Sequence, residues 1–133
     1  MRIALFTDIY LDIPGGIPSS IKAQKSALQK LGHQVTIFCP GDRIKNTEQD
    51  LCIIPTHHFL RPNHAPLAKR PKKILRFIKK EYPVFSDHFD LIHVHYEASC
   101  SIAGVKLAKE YGIKLIQTMH GREDIAINTN LPA

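Results

Sequence analysis

Arg2-Ile-Ala-Leu-Phe-Thr7 is a short apolar run, Pro14-Gly-Gly16 sits in the loop that follows, and Pro18 to Leu31 carries apolar residues at helical spacing. Strand, glycine-bearing loop and helix in that order is how an α/β sheet presents a ligand. The site lies beyond the carboxyl end of the strand, at the amino end of the helix. Free N–H groups and the positive end of the helix dipole make that spot attract anions, phosphates above all. Glycine suits it because a backbone without Cβ can touch a ligand. Residues 2–32 therefore predict a strand at Ile3–Phe6, a long loop from Asp8 to Ile17 forming an anion-binding crevice, and a helix. Ile21, Leu28 and Leu31 form the expected buried stripe of that helix, Ser19 or Ser20 its cap, Pro18 its first turn and Gly32 its end.

Outward from there, Val35–Cys39 reads as a second strand stopped by Pro40-Gly41, and Leu51–Ile54 as a third ended by Pro55. Thr56 to Pro71 has three histidines (57, 58, 64) and no apolar period, and reads as a long loop. Pro71 to Tyr82 is a helix with Ile74, Leu75, Ile78 and Tyr82 on one side. Leu91–His95 is a fourth strand, Ala98–Tyr111 a largely apolar helix that Gly112 ends, and Lys114–Thr118 a fifth strand. Leu31-Gly-His-Gln-Val-Thr-Ile and Tyr111-Gly-Ile-Lys-Leu-Ile repeat one statement: helix, glycine stop, next strand. Repeated βα units call for a parallel sheet with right-handed crossovers, and so for a Rossmann-like α/β fold with helices on both faces. After His120 the pattern fades, and an α/β layer does not stop just past a strand. The 133 residues are expected to be one domain of a longer protein.

Composition narrows the class. The chain is 44% hydrophobic, ordinary for a globular protein, and no apolar run approaches the ~20 residues of a membrane span. Met1-Arg2 leads straight into a strand too short for a signal core. Cys39, Cys52 and Cys100 are odd in number and make no CxxC pair, which predicts buried reduced thiols in a cytoplasmic protein. The net charge of +6 is local. Lys69, Arg70, Lys72, Lys73, Arg76, Lys79 and Lys80 form a run of seven cations without an acid, and removing them from the 18 basic residues leaves 11 against 12 acidic. This amphipathic stretch suits an anionic lipid surface, nucleic acid or a solvated helix face. No aromatic platform accompanies the charge, which disfavours single-stranded nucleic acid.

Three further features bear on chemistry. Pro14-Gly15-Gly16 is neither GxGxxG nor GxxxxGK[ST], and no acid closes the second strand to hold a nicotinamide ribose. His93 and His95 share one face of the fourth strand, as a polar pair lining a cleft, as packing, or as metal ligands were Glu97 and His120 to join them. Thr118-Met-His-Gly121 puts His120 just past the fifth strand, where an imidazole can hydrogen-bond a sugar hydroxyl or move a proton, or simply sit in a surface loop.

The opening Met-Arg-Ile-Ala-Leu-Phe-Thr-Asp, Pro-Gly-Gly-Ile at 14–17, Leu-Gly-His-Gln-Val-Thr-Ile-Phe at 31–38, Phe-Asp-Leu-Ile-His-Val-His at 89–95 and Thr-Met-His-Gly at 118–121 together resemble the amino-terminal domain of a family-four retaining glycosyltransferase of the GT-B type. The resemblance implies two Rossmann-like domains facing across a cleft, residues 1–133 being the acceptor-side one and the nucleotide-sugar domain lying outside this chain. It implies that Gly15 and Gly16 approach the donor phosphates and that His120 touches the donor sugar as the catalytic group. It places a hydroxyl acceptor, lipid or saccharide, near Tyr10, His95 and Glu97. It implies neither cofactor nor required metal, the nucleotide sugar being a substrate. The basic helix is similar to those of family members that glycosylate lipids, so the seven cations are expected on the inner face of an anionic membrane, with no nucleic-acid partner. The paired glutamates of the family belong to its second domain, and no Glu here has another eight residues on, so the fragment alone is expected to be inactive. The rival reading is a non-catalytic Rossmann-like module that binds an anion or a membrane surface.

Overall fold

A computed structural model describes residues 1–8, 15–41, 50–55, 70–95 and 98–119. Five strands, β1 (Arg2–Thr7), β2 (Gln34–Gly41), β3 (Leu51–Pro55), β4 (Leu91–His95) and β5 (Lys114–Thr118), form one sheet in the order β3-β2-β1-β4-β5. Every pairing is parallel. The chain runs outward from β1 through β2 to β3, then returns to β4 on the other side of β1. The strand order thus reverses between β1 and β4, and the crevice of such a sheet opens there, above the carboxyl ends.

Helices cover both faces, as the repeated βα pattern predicts. On one face Ile21 of α1 (Gly16–Lys30) packs with Ile3, Leu5, Val35, Ile37, Cys39 and Ile53. On the other, Ile74 and Ile78 of α2 (Pro71–Glu81) and Cys100, Ala103, Leu107 and Ala108 of α3 (Ser99–Tyr111) pack with Ala4, Phe6, Phe38, Ile92 and Val94. The alternation of strand side chains sorts these sets: odd positions of β1 and β2 face α1, even positions face α3. Phe6 and Phe38 stack with centroids 4.6 Å apart, and the 3-10 turn Phe85–Asp87 brings Phe85 against both. At Gly104 α3 lies so close to the sheet that an added Cβ would stand 2.9 Å from both Phe6 and Val94.

Several sequence expectations are corrected. The start of α1 is Gly16, with Gly15 at the capping position and no side-chain cap, so Ser19 and Ser20 lie inside the helix. Leu31 is 74% exposed, because Gly32 (φ 88°) turns the chain off the helix before that position reaches the core. β2 continues through Pro40 and Gly41, pairing Pro40 with Ile54. Its pairing with β1 stops at Phe38, so Pro40 sits where β2 has a neighbour on one side only, the place a residue without N–H fits. The remaining elements agree with the sequence to within a residue or two.

Candidate functional site

Because all strands are parallel, Thr7 and Asp8, His95, and Thr118 and Met119 lie along one edge, where α1 and α3 begin. Gly15 immediately precedes α1; its backbone is extended (φ 163°, ψ 171°), and its carbonyl accepts the Ser19 N–H at 3.2 Å. An added Cβ at Gly15 would make only an ordinary 3.6 Å contact with Pro18, and one at Gly16 would meet nothing within 4 Å. Neither the dihedral nor the packing of the described residues requires glycine at these two positions. No acid lies in the first turn of α1, so its amino end carries its positive dipole uncompensated from within.

The amino end of α3 is different. Ala98 has no side chain able to cap. The Asp8 carboxylate, reaching from the end of β1, takes that role instead: it accepts the N–H of Cys100 at 2.6 Å and those of Ala98 and Ser101 at 3.2 Å each. Of the two helix starts at the switch point, one is filled by an internal anion, and the other has no side-chain cap among the described residues. Sequence reading assigned Asp8 no role; its only signal is an acid directly after an apolar strand, with a helix elsewhere that lacks its own cap. Ser101 completes the arrangement by donating its hydroxyl to the His95 carbonyl at 2.7 Å.

His95 ends β4 and is fully buried. Its ring lies 4.3 Å from that of His93, and His93 Nε2 is 2.7 Å from Thr118 Oγ1 of β5. His93 and His95 do share a face, and Thr118 joins them there. Among the described residues no three of His, Cys, Asp and Glu gather as a metal-binding group. Tyr10, Glu97 and His120 lie outside the described residues, as do Pro14 and Lys69.

Cys39, Cys52 and Cys100 form no disulfide, and burial pushes the Cys100 thiol well up from the usual range; its Sγ faces the Phe38 carbonyl at 3.5 Å. That thiol is structural.

The cations of α2 do not form one uniform surface. Arg70, Lys72, Lys73, Arg76 and Lys80 are exposed. Lys79 pairs with Glu110 of α3 at 2.8 Å, a hydrogen bond that raises the ammonium pKa. Lys72, Leu75, Arg76, Lys79 and Lys80 line a shallow concavity of about 510 Å³. Among the described residues no helix is long and apolar enough to cross a membrane.

These features agree with what the chain matches among known proteins. The sequence pattern described as Glycosyltransferase Family 4 matches residues 14–131. The chain is 35% identical over 122 residues to the alpha-monoglucosyldiacylglycerol synthase of Streptococcus pneumoniae (strain ATCC BAA-255 / R6), covering 90% of this chain and 26% of that protein. It is 27% identical over 121 residues to the alpha-monoglucosyldiacylglycerol synthase of Acholeplasma laidlawii, covering 90% of this chain and 30% of that protein. The chain thus spans under a third of the length of each of these relatives. With a parallel Rossmann-like sheet and a family pattern running from Pro14 nearly to its end, the chain belongs to glycosyltransferase family 4.

Proposed function

We propose that residues 1–133 are the acceptor-side half of a retaining glycosyltransferase that moves a sugar from a nucleotide-sugar donor to the hydroxyl of a membrane lipid. The observation that carries this reading is the pair Gly15–Gly16. Two consecutive glycines stand at a helix start with no acid in its first turn, beside the switch point, and nothing among the described residues calls for them. What needs the room is a ligand, and the field there selects an anion, as the diphosphate of a nucleotide sugar is. His120, the residue after Met119 in sequence, supplies the catalytic contact to the donor sugar. The acceptor binds near Tyr10, His95 and Glu97, as the family resemblance implies. The lipid class of acceptor is supported by the names of the two relatives, both synthases of a glucosyl diacylglycerol. The exposed cations of α2 fit an anionic leaflet, each contributing about 1 kcal/mol near its surface. The donor half, with its glutamate pair, lies in a second domain, and 1–133 alone is inactive.

The full-length protein, given a panel of nucleotide sugars and diacylglycerol in phosphatidylglycerol-containing vesicles, is expected to form a glycolipid whose anomeric configuration matches that of the donor. His120→Ala is expected to remove turnover while leaving the fold intact. An inverted product, or normal turnover of His120→Ala with every active donor, contradicts the reading.

The exposed cationic face of α2 also favours a second reading, a non-catalytic module that docks on membranes. Flotation with phosphatidylglycerol vesicles that is lost when the seven cations are neutralised, together with no transfer by the full-length protein, identifies that case.

A further inference from the structure

We propose that Glu110 of α3 is a built-in competitor for Lys79, displaced by an anionic phospholipid headgroup when the cationic face of α2 docks on a membrane. The inference deepens the membrane reading proposed above and rests on it. Lys72, Leu75, Arg76, Lys79 and Lys80 recur at intervals of three and four along α2, which puts them on one stripe, away from the buried Ile74 and Ile78. That stripe lines the shallow concavity of about 510 Å³. Four cations around one leucine complement a ligand that joins a phosphate to an apolar body. An anionic phospholipid has that chemistry, and free phosphate lacks the apolar part.

Among the described residues, Lys79 alone of these four cations is held in an ion pair, its Nζ 2.8 Å from Glu110 Oε1. The partners lie 31 residues apart on different helices, so the pair follows from the packing of α2 against α3 and not from helical spacing. Both side chains keep contact with water, at 40% and 46% exposure. A headgroup can therefore reach Lys79, and Glu110 can turn into solvent once it is displaced. An exposed ion pair is weak, which sets the scale of the effect. Glu110 does not block docking; it raises the density of anionic lipid at which docking occurs. A sparsely charged surface meets Lys72, Arg76 and Lys80, while a densely charged one also recruits Lys79.

The test is a double-mutant cycle on the full-length protein, with wild type, Glu110→Gln, Lys79→Gln and the double variant. Each is floated with phosphatidylcholine vesicles carrying increasing phosphatidylglycerol, and the bound fraction is read at each composition. Both substitutions keep side-chain size at exposed positions. Glu110→Gln is expected to bind about two- to fivefold more tightly at intermediate phosphatidylglycerol content, the range of an exposed ion pair. In the Lys79→Gln background the same change is expected to gain clearly less, because only the repulsion of one carboxylate is then removed. Equal gains in the two backgrounds would show that Glu110 acts as a negative charge independent of Lys79, and would overturn the proposal. So would the absence of any gain in Glu110→Gln. If wild type and Glu110→Gln alike bind no better with phosphatidylglycerol than without it, the membrane reading has failed and the competition with it. Binding that depends on phosphatidylglycerol while the two effects simply add overturns the competition alone.

Discussion

The Asp8 carboxylate accepts the backbone N–H of Cys100 at 2.6 Å, joining the end of β1 to the first turn of α3 across 92 residues of sequence. Together with its bonds to Ala98 and Ser101 it supplies, from another element, the cap that α3 lacks. Loss of a helix cap costs about 1 kcal/mol, and a hydrogen bond to a charged group contributes about 1.5–3 kcal/mol. Asp8→Ala is accordingly expected to lower unfolding stability by about 2 kcal/mol, read as a lower urea midpoint at constant m.

Gly104 offers a test of packing. An added Cβ would lie 2.9 Å from Phe6, and that ring is pinned by its stack on Phe38. Gly104→Val brings two methyls more into this gap and is expected to destabilise by about 1–3 kcal/mol, the usual cost of overpacking. A thermal midpoint at or above that of wild type would show that α3 can move off the sheet.

Gly15 and Gly16 offer the opposite case. With no described atom within 4 Å of an added Cβ at Gly16, Gly16→Ala is expected to leave stability unchanged or slightly raised, since alanine is the better helix former by about 1 kcal/mol. The donor KM of the full-length enzyme is expected to rise at the same time. Kinetics as good as wild type would remove the donor phosphates from this loop.

Arg2 and Asp90 form a two-pronged pair, with Arg2 Nη2 at 2.8 Å from Oδ1 and Nε at 3.2 Å from Oδ2, while the Arg2 N–H also reaches Oδ2 at 2.8 Å. These hydrogen bonds hold the Asp90 carboxyl down at about 2. An unfolded aspartate titrates near ~3.9, so the folded state binds fewer protons between these values. The stabilisation is fully present above the unfolded pKa and is lost as pH falls through about 2. The stability gap between wild type and Asp90→Asn is therefore expected to be constant from neutrality down to about pH 5 and to close towards pH 2. The pair is solvent-exposed, so the gap should be small and should shrink with salt. A gap that widens on acidification would contradict the assignment.

Much of this architecture is written locally. The buried parallel strands read as short β-branched runs, and Gly32 and Gly112 mark helix ends with positive φ, so element order and the parallel sheet follow from pattern alone. What escaped is non-local. Nothing near Ala98 in the sequence announces that its cap comes from Asp8, and nothing in the run of cations at Lys69–Lys80 shows that Lys79 is matched by Glu110 on the next helix. Leu31 has the right spacing for the core, but its exposure is decided by where the chain leaves α1. The pairing of His93 and His95 on one face was legible from strand alternation; the closure of His95 from solvent was not, since it depends on neighbouring strands.

The most direct test is a crystal structure of the full-length protein with an unhydrolysed nucleotide-sugar analogue. The account predicts diphosphate oxygens within hydrogen-bond reach of the Gly15 and Gly16 backbone, with the His120 imidazole against the sugar. A diphosphate bound elsewhere, with the Gly15–Gly16 backbone facing solvent, would contradict it.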